Sequence, residues 1–335
     1  MEINRLTKRK CLLIFSVSIL FLSVPIVSII GAYNISLMAL LNDTQSIQNE
    51  IFWNIRLPRV ILAILLGGSL AWSGAVIQGI FRNPIVDPGL VGITAGASLF
   101  AGIGIVLGNY LPFLPTIWST ILFSFVGGIT TGFLIFSFAR NNGKTEVFGL
   151  LLIGIAINAL CYSAIGLLTY IANDAQLRNL SSWNLGSLGG ASWTSLSRFG
   201  IFLILPFLFS PLLYKKLNVF CLGEREAEHL GISVEVLKRS ILLLVGVSVG
   251  ASVALAGNIS FIGVMIPHMI RFVIGQDYKF MLPISYILGG TILAIGDAIC
   301  RTILSPSEIP VGIVTAIMGA PTFLILLKKS RGNSL

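Results

Sequence analysis

The chain has 335 residues, of which 55% are hydrophobic and only 10% are charged, and its formal net charge is +9. An average soluble domain carries about 25% charged residues, so this composition excludes a water-soluble enzyme, a disordered chain and an ordinary nucleic-acid-binding protein. In so apolar a chain, the excess of positive charge indicates basic loops on the cytoplasmic side of a membrane. The 35 glycines fit helices that pack closely within a bilayer.

Ten apolar runs predict an all-α membrane protein with about ten transmembrane helices in a single domain, residues 1–335, because one span needs roughly 20 apolar residues. The first run follows a basic segment and is too long for a typical signal peptide, so we expect an uncleaved span. The predicted spans are 11–32, 60–80, 88–108, 117–139, 147–171, 196–214, 239–256, 262–276, 282–300 and 309–328.

The basic residues between these spans set the expected orientation. Seventeen of the 22 lysines and arginines fall on one side, and an excess of positive charge marks the cytoplasmic side. Both termini are then expected to be cytoplasmic. The five on the opposite side are Arg56, Arg59, Arg178, Arg198 and Arg301.

Several familiar kinds of chemical site are not supported by the sequence. The four cysteines lie far apart and form no CxxC pair, so we interpret them as packing residues and expect no metal site. Gly143-Lys144-Thr145 ends like a phosphate-binding loop, but Phe138 stands where that pattern needs glycine, so we expect no nucleotide site. Asp297 is the only acid within an apolar span, whereas a proton-coupled carrier usually has more.

Charged residues near the predicted outer surface suggest one candidate site. Arg56 and Arg59 lie on either side of Pro58, just outside the second predicted span. They either anchor the helix at the interface or bind carboxylates of an extracytoplasmic partner, because arginine pairs with carboxylates through two hydrogen bonds. Asp297 and Arg301 are spaced to pair on one helix face, although Arg301 can instead point to the outer surface.

The segments expected to face the cytoplasm contain further candidates. Residues 82–89 hold two prolines, which forbid a regular helix there and favour a gate or the lining of a water-accessible cavity. The longest loop, about 214–238, is either a solvated connector or a pair of short helices that dock on a cytoplasmic partner.

Two other positions have an ordinary structural interpretation. His268 follows a proline at a helix start, and a single buried histidine is more typical of hydrogen-bonded structure than of a metal or haem ligand. Glu308 and Pro310, at the start of the last span, fit ordinary helix capping.

A weak internal repeat relates residues 68–74 to residues 251–257, and a proline follows each copy at the same distance. The copies lie five spans apart and therefore point in opposite directions, as in transporters built from inverted repeats. Chance similarity between two helices rich in glycine and alanine is the alternative.

Short motifs spread over nearly the whole chain resemble the FecCD family, the membrane permeases of ABC importers for iron–siderophores, haem and vitamin B12. Together and in this order the motifs are highly specific. They are RLPR at 56–59, Gly67-Gly68, Ser73-Gly74, Gln78, RNP at 82–84, Gly186-Ser187-Leu188 before Trp193, Leu222-Gly223, Leu230-Gly231, AGNISFIG at 256–263, IPHMIR at 266–271 and EIPVGIVTAIMGAP at 308–321.

The resemblance implies a type II ABC importer permease fold in the bacterial cytoplasmic membrane, with the transport path at the interface of a homodimer. It implies two ATPase subunits on the cytoplasmic side, a substrate-binding protein outside, and no enzyme activity in this chain. Arg56, Arg59 and Arg301 then match arginines that meet glutamates of the binding protein. Asn83 and Ile85 match a cytoplasmic gate, and a second gate falls near 144–148.

The resemblance also implies that residues 218–235 dock on the ATPase. The residues that match this docking segment are Leu222, Gly223, Glu224, Ala227, Leu230 and Gly231.

Residues 82–100 and 176–193 look more like the haem permeases than the ferric-siderophore ones, so we expect haem as the substrate. Import of a ferric siderophore or vitamin B12 by the same alternating-access mechanism is the alternative, and a secondary carrier or channel without an ATPase is the alternative class. A membrane-embedded enzyme would need a polar cluster inside the spans. Arg178 near the outer mouth is placed to attract haem propionates, and His268 is the other candidate on the path.

Overall fold

In the computed structural model the chain is a bundle of helices, and the structure describes residues 2–31, 33, 35–36, 46–108, 116–141 and 143–332. Helices suit a lipid environment because they satisfy every backbone N–H and C=O group within one segment. Within these residues, seven helices are long and apolar enough to cross a membrane, and three shorter apolar helices accompany them. The prediction of about ten spans is therefore confirmed.

The secondary structure follows the chain in a simple order. Two short antiparallel strands, β1 (Arg140–Asn141) and β2 (Lys144–Thr145), form a hairpin near the middle of the chain. The helices are α1 (Glu2–Ile29), α2 (Ile47–Ile80), α3 (Ile93–Leu107), α4 (Thr116–Phe138), α5 (Val147–Ile171), α6 (Asp174–Leu185), α7 (Trp193–Phe220), α8 (Glu224–His229), α9 (Val234–Ala256), α10 (Ile262–Ile274), α11 (Tyr278–Ile303) and α12 (Val311–Gly332).

The second span begins earlier than predicted. Helix α2 starts at Ile47 and runs for 34 residues, so Arg56 and Arg59 lie inside a helix and not just outside one. A π-helical turn, Phe52–Arg56, ends two residues before Pro58, where the proline removes one backbone hydrogen bond of a regular helix. The predicted boundary at residue 60 was wrong because three polar residues before it are buried in the bundle: Asn49, Arg56 and Arg59.

Helices α3 and α10 are short because an irregular segment precedes each of them. Before α3, the carbonyl oxygen of Gly89 accepts a hydrogen bond from Asn158 Nδ2 on α5 at 3.2 Å. Before α10, Gly257 and Phe261 turn the chain with φ angles of 70° and 69°. Irregular backbone is tolerated in a membrane protein where it is buried in protein or lines a cavity.

Glycines allow α2 to lie at the centre of the bundle. A Cβ atom on Gly67 would lie 2.3 Å from the carbonyl oxygen of Gly289 on α11, and one on Gly290 would lie 2.4 Å from that of Ile64. Small residues of this kind let two helix backbones approach within a membrane. The pairing of Gly67-Gly68 with Gly289-Gly290 explains why the motif at the first pair consists of glycine.

The two copies of the predicted repeat lie on helices that contact each other. The first copy is on α2 and the second is at the end of α9, and Ser73 Oγ lies 2.9 Å from Ser248 Oγ across the interface. The inverted relation between the two halves stays a prediction.

Candidate functional site

The arginines expected to face an extracytoplasmic partner lie together with two acids at one end of the bundle. Arg59 donates from Nε to both carboxylate oxygens of Asp297, at 3.0 and 3.1 Å, and from Nη1 to Glu308 at 2.9 Å. Asp297 pairs again with Arg301, whose Nε lies 3.1 Å from Oδ2, so the predicted pair one helical turn apart is confirmed. We call this set the arginine cluster: Arg56, Arg59, Asp297, Arg301 and Glu308.

Two members of the arginine cluster also hold the end of α1. Arg56 donates hydrogen bonds to the carbonyl oxygens of Ile29 and Tyr33, and Arg301 donates to that of Val27 at 3.2 Å. The last four carbonyl groups of a helix have no partner within the helix, and a cation there also interacts favourably with the helix dipole. The guanidinium groups therefore fix α1 to α2 and α11.

The three arginines do not form the open cationic patch that the sequence suggested. Arg56, Arg59 and Arg301 are only 5%, 6% and 5% exposed, because charges in an apolar bundle require buried partners. Glu308 is the exception, since 46% of its side chain is exposed. From sequence alone Glu308 fits a helix cap, whereas in the structure it is the more exposed of the two acids that pair with Arg59.

The predicted gate loop, residues 82–89, follows the other end of α2. Asn83 and Ile85 are both exposed, and Asn83 Oδ1 accepts a hydrogen bond from the backbone N–H of Ile85 at 3.0 Å. One candidate gate residue thus fixes the backbone of the other. Arg82 has a φ angle of 47°, which is uncommon for a residue other than glycine and marks a tight turn.

The gate loop contacts the AGNISFIG motif. Asp87 accepts a hydrogen bond from the N–H of Gly89 at 3.2 Å, and a Cβ atom on Gly263 would lie 3.0 Å from Asp87 Oδ1. Gln78 donates to the carbonyl oxygens of Gly263 and Val264 at 3.4 and 3.3 Å. The structure thereby brings together motifs that the sequence analysis could relate only through family resemblance.

The predicted docking segment, residues 218–235, forms the end of α7, the short helix α8 and the start of α9. Leu222 and Leu230 are exposed, whereas Ala227 is completely buried. The glycines on either side of α8 have positive φ angles of 148° and 81°, which glycine adopts at little cost: Gly223 and Gly231. One short helix, α8, is therefore present where a pair was predicted, and a role of this segment in ATPase docking stays a prediction.

A buried lysine joins this docking segment to the β-hairpin. Lys238 Nζ lies 2.8 Å from Glu224 Oε2 and donates to the carbonyl oxygen of Thr145 at 2.7 Å, although only 1% of this side chain is exposed. Glu235 accepts from the N–H and the hydroxyl of Thr145 at 2.9 and 2.7 Å. We call these residues the hairpin lock: Thr145, Glu224, Glu235 and Lys238.

The hairpin lock lies where a second gate was expected, near 144–148. From sequence alone Lys238 is only one of the basic loop residues that set the expected orientation. Its burial was not predictable from hydropathy, because its partner Thr145 is 93 positions away in the chain.

The two candidate path residues differ in their surroundings. His268 is buried, as expected, but neither ring nitrogen has a hydrogen-bond partner within the described residues, so the expectation of a hydrogen-bonded histidine was wrong. Its ring packs edge-on against Phe272, with centroids 5.1 Å apart. Arg178 is exposed on α6, a helix that also lines a cavity of about 410 Å³ through Asn179 and Trp183.

Comparison with known proteins gives consistent matches. A family model described as the FecCD transport family matches residues 12–329. The chain is 44% identical over 303 residues to the hemin transport system permease protein HmuU of Yersinia pestis, covering 90% of each chain. It is 37% identical over 290 residues to the vitamin B12 import system permease protein BtuC of Klebsiella pneumoniae, covering 86% of each.

The fold also matches a solved structure. That structure is described as an inward-facing conformation of a metal-chelate type ABC transporter, with a TM-score of 0.85 and 31% sequence identity. The match covers 95% of this chain and 98% of the other, so the two folds agree over almost their entire length.

Asp297 and Glu308 provide a matched pair of substitutions for the arginine cluster. Asp297→Asn leaves Arg59 and Arg301 without their buried carboxylate, and breaking a buried ion pair in this way costs about 3–5 kcal/mol. Glu308→Gln removes a half-exposed partner, which costs about 1 kcal/mol or less. Thermal unfolding of both variants in one detergent should show a large loss for Asp297→Asn only, and equal losses would contradict the geometry.

Proposed function

Because the chain belongs to the FecCD transport family, we propose that it is the membrane permease of an ABC importer that carries haem across the bacterial cytoplasmic membrane. The main evidence for haem as the substrate is the 44% identity to a hemin permease, which covers 90% of both chains. Vitamin B12 permeases match at 37% identity, so vitamin B12 and ferric siderophores are the alternative substrates. ATP hydrolysis takes place on partner subunits in this proposal.

We further propose that two copies of the chain enclose the path. In the most apolar 18-residue stretch of α5, only 22% of the residues are buried within one chain. Leu160 and Leu167 on that helix are strongly exposed. Such a helix faces either lipid or another subunit. Contact with a second copy would place α5, and the gate loop that Asn158 holds, next to the dimer axis.

The proposed orientation places the docking segment and both termini in the cytoplasm. Arg9 near the start of α1 pairs with Asp277 at 2.7 Å, and Asn218 in the docking segment donates to the same carboxylate at 3.0 Å. The start of α1 is therefore next to the docking segment. The excess of basic residues on this side supports the cytoplasm as its surroundings.

In this proposal, carboxylates of the substrate-binding protein replace Glu308 on Arg59. Glu308 is the one half-exposed acid of the arginine cluster, so it can leave Arg59 without exposing Asp297. The cluster holds three arginines against two acids, and an excess of positive charge favours an anionic partner. A loaded binding protein can shift the permease only if it binds one conformation more tightly than the other.

The inner end is proposed to respond to the ATPase through the hairpin lock. A displacement of α8 would move Glu224, which is tied through Lys238 to Thr145 in β2, two residues before α5. Helix α5 in turn holds the gate loop, because Asn158 donates to Gly89. These contacts form a continuous physical connection from the docking segment to the loop that carries Ile85.

Reconstitution tests the proposed function directly. The permease, its ATPase subunits and its binding protein are placed in proteoliposomes, and ATP hydrolysis is measured with haem, ferric siderophores or cobalamin. We expect haem to give the largest stimulation and to accumulate only with ATP. Stimulation by another ligand alone would reject haem, whereas haem flux without the ATPase would indicate a carrier or channel.

Lys238 tests the connection to the ATPase. Lys238→Met keeps most of the apolar volume of the side chain but removes the bonds to Glu224 and Thr145. We expect the assembled complex to hydrolyse ATP while haem uptake per ATP falls about tenfold, the effect of losing about 1.4 kcal/mol of coupling. The matched control is Lys8→Met, an exposed lysine on α1 outside the docking segment, and equal effects of the two substitutions would contradict the proposed connection.

A further inference from the structure

A groove of about 470 Å³ lies between α4 and α9, and most of its walls are apolar. Phe133 on α4 and Leu243 on α9 line it and are 65% and 59% exposed, so the groove opens to the outside of the bundle. On α4 the lining runs from Ile129 to Ser137, about 12 Å at 1.5 Å per residue, and it continues to Arg140 in β1. That length is roughly half of a hydrocarbon core about 30 Å thick.

Two arginines lie at the end of this groove that is next to the β-hairpin. Arg140 and Arg239 line the groove and also a smaller adjoining cavity, which Glu235 borders as well. Neither arginine forms an ion pair within the described part of the chain. Glu235 does not neutralise them, because its carboxylate accepts from Thr145 and lies 3.6 Å from Lys238.

We propose that this groove binds an anionic phospholipid of the leaflet next to the docking segment, which is the cytoplasmic leaflet in the proposed orientation. The lipid phosphate would bind between Arg140 and Arg239, and one acyl chain would lie against Phe133 and Leu243. Basic pockets between transmembrane helices at this depth are suited to anionic headgroups. The two unpaired arginines match the negatively charged headgroup of such a lipid, and the apolar groove matches its acyl chain.

A second copy of the chain is a poorer occupant than a lipid. Two-fold dimers bring the same patch of both subunits together. A contact centred on this groove would therefore place two copies of Arg140 and Arg239 face to face, without a free acid among the residues that line it. An anionic lipid supplies the missing negative charge.

Gly246 offers a way to fill the groove without disturbing the fold. It lines the groove on α9, and a Cβ atom added there meets nothing within 4 Å. A leucine side chain at this position would occupy the space proposed for the acyl chain. Gly246→Leu therefore removes the apolar part of the site, whereas R140Q/R239Q removes the charged part.

Native mass spectrometry of the purified full chain, incubated with phosphatidylglycerol or with phosphatidylcholine of the same acyl chains, tests the proposal. We expect the wild type to retain phosphatidylglycerol selectively. R140Q/R239Q should lower that retention at least about tenfold, because two charges at the membrane surface are lost. The matched control K215Q/K216Q removes two exposed charges from the end of α7 and should retain the lipid as the wild type does.

Gly246→Leu should also lower retention of phosphatidylglycerol, with both arginines intact. Equal retention by R140Q/R239Q and the wild type, or equal loss in K215Q/K216Q, would overturn the proposal. Full retention by Gly246→Leu would overturn the groove as the acyl-chain site. Loss of a dimer in either groove variant, with no lipid bound to the wild type, would assign the groove to a subunit interface. None of these measurements requires transport, so they are independent of the proposed function.

Discussion

One buried carboxylate, Asp297, determines how four helices meet at one end of the molecule. A charge inside an apolar bundle must be paired, and Asp297 is paired twice, with Arg59 of α2 and Arg301 of α11. Arg301 and Arg56 also bind the carbonyl groups at the end of α1, and Arg59 reaches Glu308 just before α12. The charges that we propose for binding a partner are thus the same charges that connect these helices.

The opposite end of the molecule is built on a different principle. There the chain leaves the helical pattern, in the gate loop, the β-hairpin and the docking segment, and side-chain hydrogen bonds connect these pieces. The hairpin lock ties the docking segment to the hairpin, and Asn158 ties α5 to the gate loop. The end with the arginine cluster therefore has ion pairs, whereas the opposite end has a chain of hydrogen-bonded contacts between its segments. In the proposed function, the ion pairs would exchange with charges of a binding protein, and the hydrogen-bonded contacts would transmit motion from the ATPase.

Features that depend on local sequence were predictable, and features that depend on distant partners were not. Apolar runs gave the number and order of the spans, and spacing along one helix gave the Asp297–Arg301 pair. The pairing of Arg59 with Asp297 joins residues 238 positions apart, so neither the early start of α2 nor the burial of its arginines could be recognised. The hairpin lock escaped prediction for the same reason. His268 shows the opposite case, because a general rule about buried histidines failed at a position packed against Phe272.

In the proposed function, the arginine cluster receives the binding protein's carboxylates when Glu308 leaves Arg59. The affinity of the cognate binding protein for Glu308→Gln and Arg59→Gln permease complexes tests this exchange, with Arg198→Gln, an exposed arginine over Trp118, as the control. We expect tighter binding to Glu308→Gln, binding about tenfold weaker or more to Arg59→Gln, and no change for Arg198→Gln. Wild-type affinity in both cluster variants would contradict it.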